Sequence, residues 1–147
     1  MDKIEIKNAT IIDGLGGEPY IGNLYLNDGK IIAISHGETL DSDISIDASG
    51  KIVTPGFIDI HTHSDLSFLL DSTAQSKVRQ GVTMELIGNC GMSPCAPLNG
   101  ESKELLMQRL SVYENSVGLA EKINWTDYAG YIEASRKSGA TLNVAFQ

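Results

Sequence analysis

The sequence predicts an α/β protein, with a β-rich opening followed by a parallel sheet whose strands are joined through helices. Three observations predict it. Residues 1–54 hold short apolar segments with strand alternation, separated by tight-turn residues. After Pro55 the order becomes strand, helix, strand, helices, strand, and short apolar strands separated by helices make a parallel sheet. Finally, no internal repeat and no low-complexity segment interrupts the pattern.

The elements follow in order. "KIEIKNATII" alternates and is rich in isoleucine, so it reads as a strand. "YIGNLYLNDGKIIAIS" reads as a hairpin, because Asp28-Gly29 favours the positive φ of a tight turn between two apolar arms. "ISIDASGKIVTPG" is expected to repeat the hairpin, with Ser49-Gly50 as its turn. These units predict a small sandwich or sheet over residues 1–54, with little core of its own. Residues 55–147 form the second predicted domain. "GFIDIH" is its first strand, and "DSTAQSKVRQG" is a helix capped by Asp71 or Ser72 and stopped by Gly81. "VTMELIG" is the next strand. "ESKELLMQRLSVYENSVG" has helical spacing through Leu106, Leu110, Tyr113 and Val117. A further helix starts at Thr126 or Asp127 and stops at Gly139, with Trp125, Tyr128, Ala129 and Ile132 on its apolar face. "ATLNVAF" is the last strand.

Composition excludes several classes. Among 147 residues there are 11 Lys plus Arg and 19 Asp plus Glu, a net charge of −8. No basic patch offers a site for nucleic acid or an anionic membrane. No apolar run is long enough to span a bilayer, and the N-terminus lacks a signal-peptide core, so a cytoplasmic location is expected. Cys90 and Cys95 do not have the spacing of a structural zinc knuckle, and a cytosolic setting argues against a disulfide. Cys95 reads as a small buried residue and His36 as a solvated loop residue.

The chemistry is carried by "GFIDIHTHSDL" and "ELIGNCG". In a strand, residues two apart point the same way, so His61 and His63 can face one point. Neutral imidazoles are good zinc ligands, and both sit where an apolar run ends, the place where sites form in parallel α/β sheets. A bare H-x-H is more often a pair of surface histidines. Its place at a strand end favours the ligand pair. Asp65, two residues on, either binds metal or orients a histidine, or is a loop carboxylate. Asp59 shares the same parity and, if buried, needs a partner. Cys90 ends the second apolar run. Taken alone it is a small buried residue; beside two histidines it becomes a third ligand, since a thiolate next to a metal ionises readily. Gly88 and Gly91 let the backbone pass close to an ion or substrate. No Walker, dinucleotide or nucleophile-elbow motif is present.

These segments resemble the amidohydrolase superfamily, and "QGVTMELIGNCGMSPCAP" resembles its N-acyl-D-amino-acid deacylase (D-aminoacylase) branch. The resemblance spans nearly the whole chain. It implies a (β/α)8 TIM-type barrel carrying a metal site, with a small β-sandwich built from both chain ends. Residues 1–54 would be the N-terminal share of the sandwich, and 55–147 the first βα units of an incomplete barrel. His61, His63 and Cys90 would hold one or two zinc ions, and Asp65 and Asn89 would support the ligands or touch substrate.

The implied reaction is hydrolysis of N-acyl-D-amino acids by metal-activated water, with a small molecule as the partner. The general base would be an aspartate beyond residue 147, and further histidine ligands would also come later. A barrel needs ~250 residues. The chain alone is therefore expected to be inactive, completed by a remainder or by self-association. Dihydroorotase or hydantoinase chemistry is the alternative within the superfamily, which "GNCG" disfavours. A non-catalytic oligomeric module is the alternative outside it.

Overall fold

The computed structural model describes residues 2–95, 98–111 and 118–147. The chain divides into two compact units, Met1–Pro55 and Gly56–Gln147.

The first unit is one five-stranded sheet. β1 (Ile4–Ile11) lies at its centre, with β2 (Tyr20–Asn27) antiparallel beside it and β3 (Lys30–Ser35) antiparallel beyond β2. The β2–β3 turn carries Asp28 and Gly29 at positive φ, as a tight hairpin turn requires. The second expected hairpin does not form. β4 (Ile44–Asp47) and β5 (Ile52–Val53) both run parallel to β1 along the same edge and do not pair with each other. Asp47 Oδ1 accepts hydrogen bonds from Ser49 N (3.1 Å) and Ser49 Oγ (2.7 Å). That turn makes a short excursion and returns the chain to the same neighbour. β1 bulges at Asn8, which has φ 59° and whose backbone N–H donates to Asn23 Oδ1 (2.9 Å).

One face of this sheet buries Ala9, Ile11, Leu24 and Ala48. The other centres on Tyr25 (2% exposed), whose hydroxyl donates to Glu5 Oε1 at 2.7 Å, while Ser45 Oγ donates to Glu5 Oε2 at 2.7 Å. These bonds favour the ionised carboxylate and hold Glu5 below the ordinary glutamate value. A depressed folded-state pKa contributes stability that is fully present above the unfolded value and lost as pH falls through the folded one. Glu5→Gln is therefore expected to flatten the acid side of this unit's stability profile, measured by urea unfolding between pH 3 and 7. An unchanged profile would remove Glu5 as the source.

The second unit is a parallel three-stranded sheet in the order β6 (Phe57–Asp59), β7 (Val82–Ile87), β8 (Asn143–Phe146). β6 stops at Asp59, short of the expected His61. Its connection to β7 holds α1 (Ser67–Leu70), which the sequence did not announce, and α2 (Gln75–Val78). The expected helix over 71–81 shrinks to that single turn. Asp71 binds Thr73 instead, through its backbone N (2.9 Å) and its Oγ1 (2.5 Å), and Ala74 at φ 46° opens the helix without a side-chain cap.

The β7–β8 connection holds α3 (Gly100–Leu110), α4 (Leu119–Lys122) and α5 (Tyr128–Ser138). Leu106 and Leu110 pack on the core as their spacing predicts, whereas Tyr113 and Val117 lie outside the described residues. α5 is capped by Asp127, which accepts from Gly130 N at 2.8 Å, and it ends at Gly139 in the left-handed region (φ 67°). Its buried face is Tyr131 and Ser135, one step round from the expected stripe, and Tyr128 and Ala129 are exposed. Trp125 is buried just ahead of the helix, where its indole N–H donates to the Pro94 carbonyl at 3.0 Å. Leu66, Phe68, Leu69, Ile87, Trp125 and Tyr131 lead the core of this unit.

Candidate metal centre

The site lies where β6 and β7 end. Because these strands are parallel neighbours, the segments that leave them emerge side by side. His61 and His63 follow β6 in irregular backbone, so strand parity does not align them. Their rings nonetheless meet edge to face, with centroids 5.7 Å apart. Cys90 sits in a single 3-10 turn after β7, at φ 56° and ψ 26°, between glycines at φ 89° and 69°. A non-glycine residue in that region is strained, and such strain gathers at functional sites. Gly88 is needed for another reason, since a Cβ there would stand 2.9 Å from the Gln147 carbonyl oxygen.

This turn brings Cys90 Sγ to 3.3 Å from His61 Nε2. One donor atom from each of His61, His63 and Cys90 lies within 4.8 Å of the others, and all three residues are exposed. Donors at ~2.0–2.3 Å from a tetrahedral zinc lie ~3.3–3.8 Å apart; the 3.3 Å between His61 Nε2 and Cys90 Sγ matches that spacing, and the N/N/S donor set suits the ion.

The remaining predicted residues support this cluster. Asp65 is buried, with Oδ2 4.0 Å from His63 Nδ1 and Oδ1 accepting from Gly88 N at 2.7 Å. It therefore ties the histidine segment to the turn that presents Cys90. Tyr131 donates its hydroxyl to the Asp65 carbonyl at 2.5 Å, and burial pushes that phenol well above its ordinary value, so it remains a donor at all working pH. Asn89 is buried with its amide engaged. Nδ2 donates to the carbonyls of Thr62 (3.2 Å) and Leu86 (2.8 Å), and Oδ1 accepts from Gln147 Nε2 (3.2 Å). Asn89 thus holds the backbone between the two histidines.

Lys77, Thr62, Glu85 and Arg109 escaped the sequence reading. Lys77, on α2, donates to Asp59 Oδ2 at 2.5 Å and to Thr62 Oγ1 at 2.8 Å, and lies 3.9 Å from Glu85 Oε2. The ammonium group and the His61 amide hold Asp59 below the usual aspartate range. Glu85 inside the apolar run "VTMELI" was the available signal, because a buried carboxylate calls for a cation nearby. Beside His63 and Asp65 opens a cleft of ≈ 280 Å³ walled by Leu66, Leu70, Leu110 and Leu119, with Arg109 on its lining.

Comparison with known proteins identifies the family. Residues 45–135 match the model of the amidohydrolase family. An N-acyl-D-glutamate deacylase of Alcaligenes xylosoxydans xylosoxydans is 34% identical over 141 residues, which are 95% of this chain and 27% of that one. The crystal structure of N-acyl-D-glutamate deacylase from Bordetella bronchiseptica, complexed with zinc and a phosphonate inhibitor, superposes with a TM-score of 0.76 at 34% identity, over 97% of this chain and 28% of that one. A D-aminoacylase structure studied for its binuclear metal centre gives 0.73 at 27% identity, over 98% of this chain and 29% of that one. A dihydroorotase of Caldanaerobacter subterraneus subsp. tengcongensis is 46% identical, but over 42% of this chain and 14% of its own. The chain thus spans about a quarter of the length of the deacylases it matches. The mixed α/β fold resembles that of the D-aminoacylases, and the chain belongs to the amidohydrolase family.

Proposed function

We propose that this chain carries part of the metal site of a zinc-dependent deacylase that hydrolyses N-acyl-D-amino acids. The observation that carries the reading is the meeting of His61, His63 and Cys90 at the ends of two adjacent parallel strands. In this reading residues 56–147 are the first βα steps of a (β/α)8 barrel, and residues 1–55 are a share of a β-sandwich.

His61, His63 and Cys90 would hold the ion. Bound there, zinc supplies Lewis acidity toward an amide carbonyl and a water acidic enough to ionise near neutral pH. The chain's own residues do the rest. Asp65 faces His63 and fixes the Gly88 amide, which sets the approach of the cysteine turn to the histidines. Asn89 pins the Thr62 carbonyl and so limits the motion of both imidazoles. The leucine-walled cleft beside His63 would take an apolar part of the substrate and keep water from it, with the Arg109 guanidinium available to a carboxylate.

The test is amide hydrolysis by the intact protein, read as free amino acid from the N-acetyl substrates and as the N-carbamoyl acid from the ring substrates. N-acetyl-D- and N-acetyl-L-amino acids, hydantoin and dihydroorotate are offered in parallel, before and after zinc removal by a chelator. Hydrolysis of the D-substrates, lost with the metal and restored by zinc, is expected. Turnover of the rings alone would replace this reading with cyclic-amide hydrolysis, the alternative that the partial dihydroorotase match keeps in view.

A further inference from the structure

The two histidines lie past the end of their strand, so the sheet ladder does not fix their spacing. β6 ends at Asp59, and three side chains take over. Asp59 Oδ1 accepts from His61 N at 3.2 Å. Asn89 Nδ2 donates to Thr62 O at 3.2 Å. Lys77 Nζ donates to Thr62 Oγ1 at 2.8 Å and to Asp59 Oδ2 at 2.5 Å, so one cation joins two of the three attachments. Thr62 is 8% exposed and Glu85 3% exposed, and Glu85 Oε2 stands 3.9 Å behind the ammonium with no hydrogen-bond partner among the described residues.

An ammonium group has three protons to share, and here it meets a hydroxyl and two carboxylates. Buried Glu85 and half-buried Asp59 both need a cation for their charge, whatever lies above them. The Thr62 hydroxyl does not. That hydroxyl also lies 3.1 Å from Ser64 Oγ, and its bond to Lys77 links the partly buried charge cluster to the histidine segment.

We propose that Lys77 is a positioning residue for the metal site, holding His61 and His63 at ligating distance by anchoring Thr62 and Asp59 from beneath. The inference rests on the reading of the two histidines as a metal pair. It assigns to α2 a part in the site's affinity for zinc rather than in bond cleavage.

The experiment measures zinc affinity of the intact protein by competition with a chromogenic chelator, and the absorption spectrum of the cobalt(II) form. Thr62→Val removes the hydroxyl and leaves the charge cluster paired; Thr62→Ser restores the hydroxyl. Thr62→Val is expected to bind zinc about tenfold more weakly, with a shifted cobalt spectrum and an unaltered melting transition. Thr62→Ser is expected to keep the wild-type affinity. Lys77→Met should reproduce the loss, and if it fails to fold the threonine pair carries the test. Wild-type affinity in Thr62→Val, or an equal loss in Thr62→Ser, overturns the inference while leaving the metal site standing. Failure of the wild-type protein to bind zinc overturns the metal reading itself.

Discussion

Cys90→Ser is expected to weaken zinc binding by about 100-fold or more, equivalent to about 2.7 kcal/mol. The thiol is the only soft donor in the cluster, and zinc takes it as a thiolate, which a serine hydroxyl cannot match near neutral pH. Oxygen also sits closer to its Cβ than sulfur does, so it falls short of a point set by Cys90 Sγ 3.3 Å from His61 Nε2. His61→Ala should have an effect of the same order, because it removes the imidazole whose Nε2 lies 3.3 Å from the thiol. Metal content after dialysis and the sulfur-to-metal charge-transfer band of the cobalt form both report the change. A Cys90→Ser protein that retains its zinc would transfer the ligand role to another residue. Any fall in hydrolysis should track the fall in metal content, since Cys90 has no other part in the proposed chemistry.

Tyr131→Ala is expected to cost about 3–5 kcal/mol, the range for deleting a large buried aromatic side chain. Tyr131 is 1% exposed and packs against Trp125 and Phe146, each with ring centroids 5.3 Å away, and against Phe68 at 6.0 Å. Those rings belong to α1, β8 and the lead-in to α5, so one side chain joins both crossover connections to the sheet. A domain has ~5–15 kcal/mol in total, so the melting temperature should drop by more than about 10 °C. Tyr131→Phe isolates the hydroxyl. It keeps the ring, leaves the Asp65 carbonyl without that donor, and should cost about 1 kcal/mol. Thermal unfolding of both variants measures the two contributions, and an unchanged transition in Tyr131→Ala would exclude the ring from the core.

Much of this molecule is readable in its residues, and the failures have physical causes. The β2–β3 hairpin is legible because its turn demands positive φ and Asp28-Gly29 provides it. Residues 44–53 mislead because a turn signal says that the chain bends, not which strand it meets next. Ser49-Gly50 serves an excursion that rejoins β1 as well as it would serve a hairpin. α5 is legible at both ends, where Asp127 and Gly139 have local roles. Its face is not, because Trp125 belongs to the preceding loop and shifts the apparent stripe. At the site, His61, His63 and Cys90 stand out because each follows an apolar run. Lys77 does not, because its partners Asp59, Thr62 and Glu85 come from other segments and only the pairing of β6 with β7 brings them together.

The parallel order β6–β7–β8 has a consequence for the sequence of events in folding. Pairing β6 with β7 closes the loop 60–81, whereas pairing β7 with β8 closes 88–142. The longer loop costs about 0.8 kcal/mol more in chain entropy. His61 and His63 lie inside the short loop, and Cys90 lies three residues past the end of β7. The donor atoms are therefore gathered by the less demanding closure, before α3, α5 and β8 need be in place. Tyr131 and Gln147 act later, as latches from the long loop and from the residue after β8 onto Asp65 and Asn89. These three donors are thus local in sequence, while what rigidifies them arrives from far along the chain.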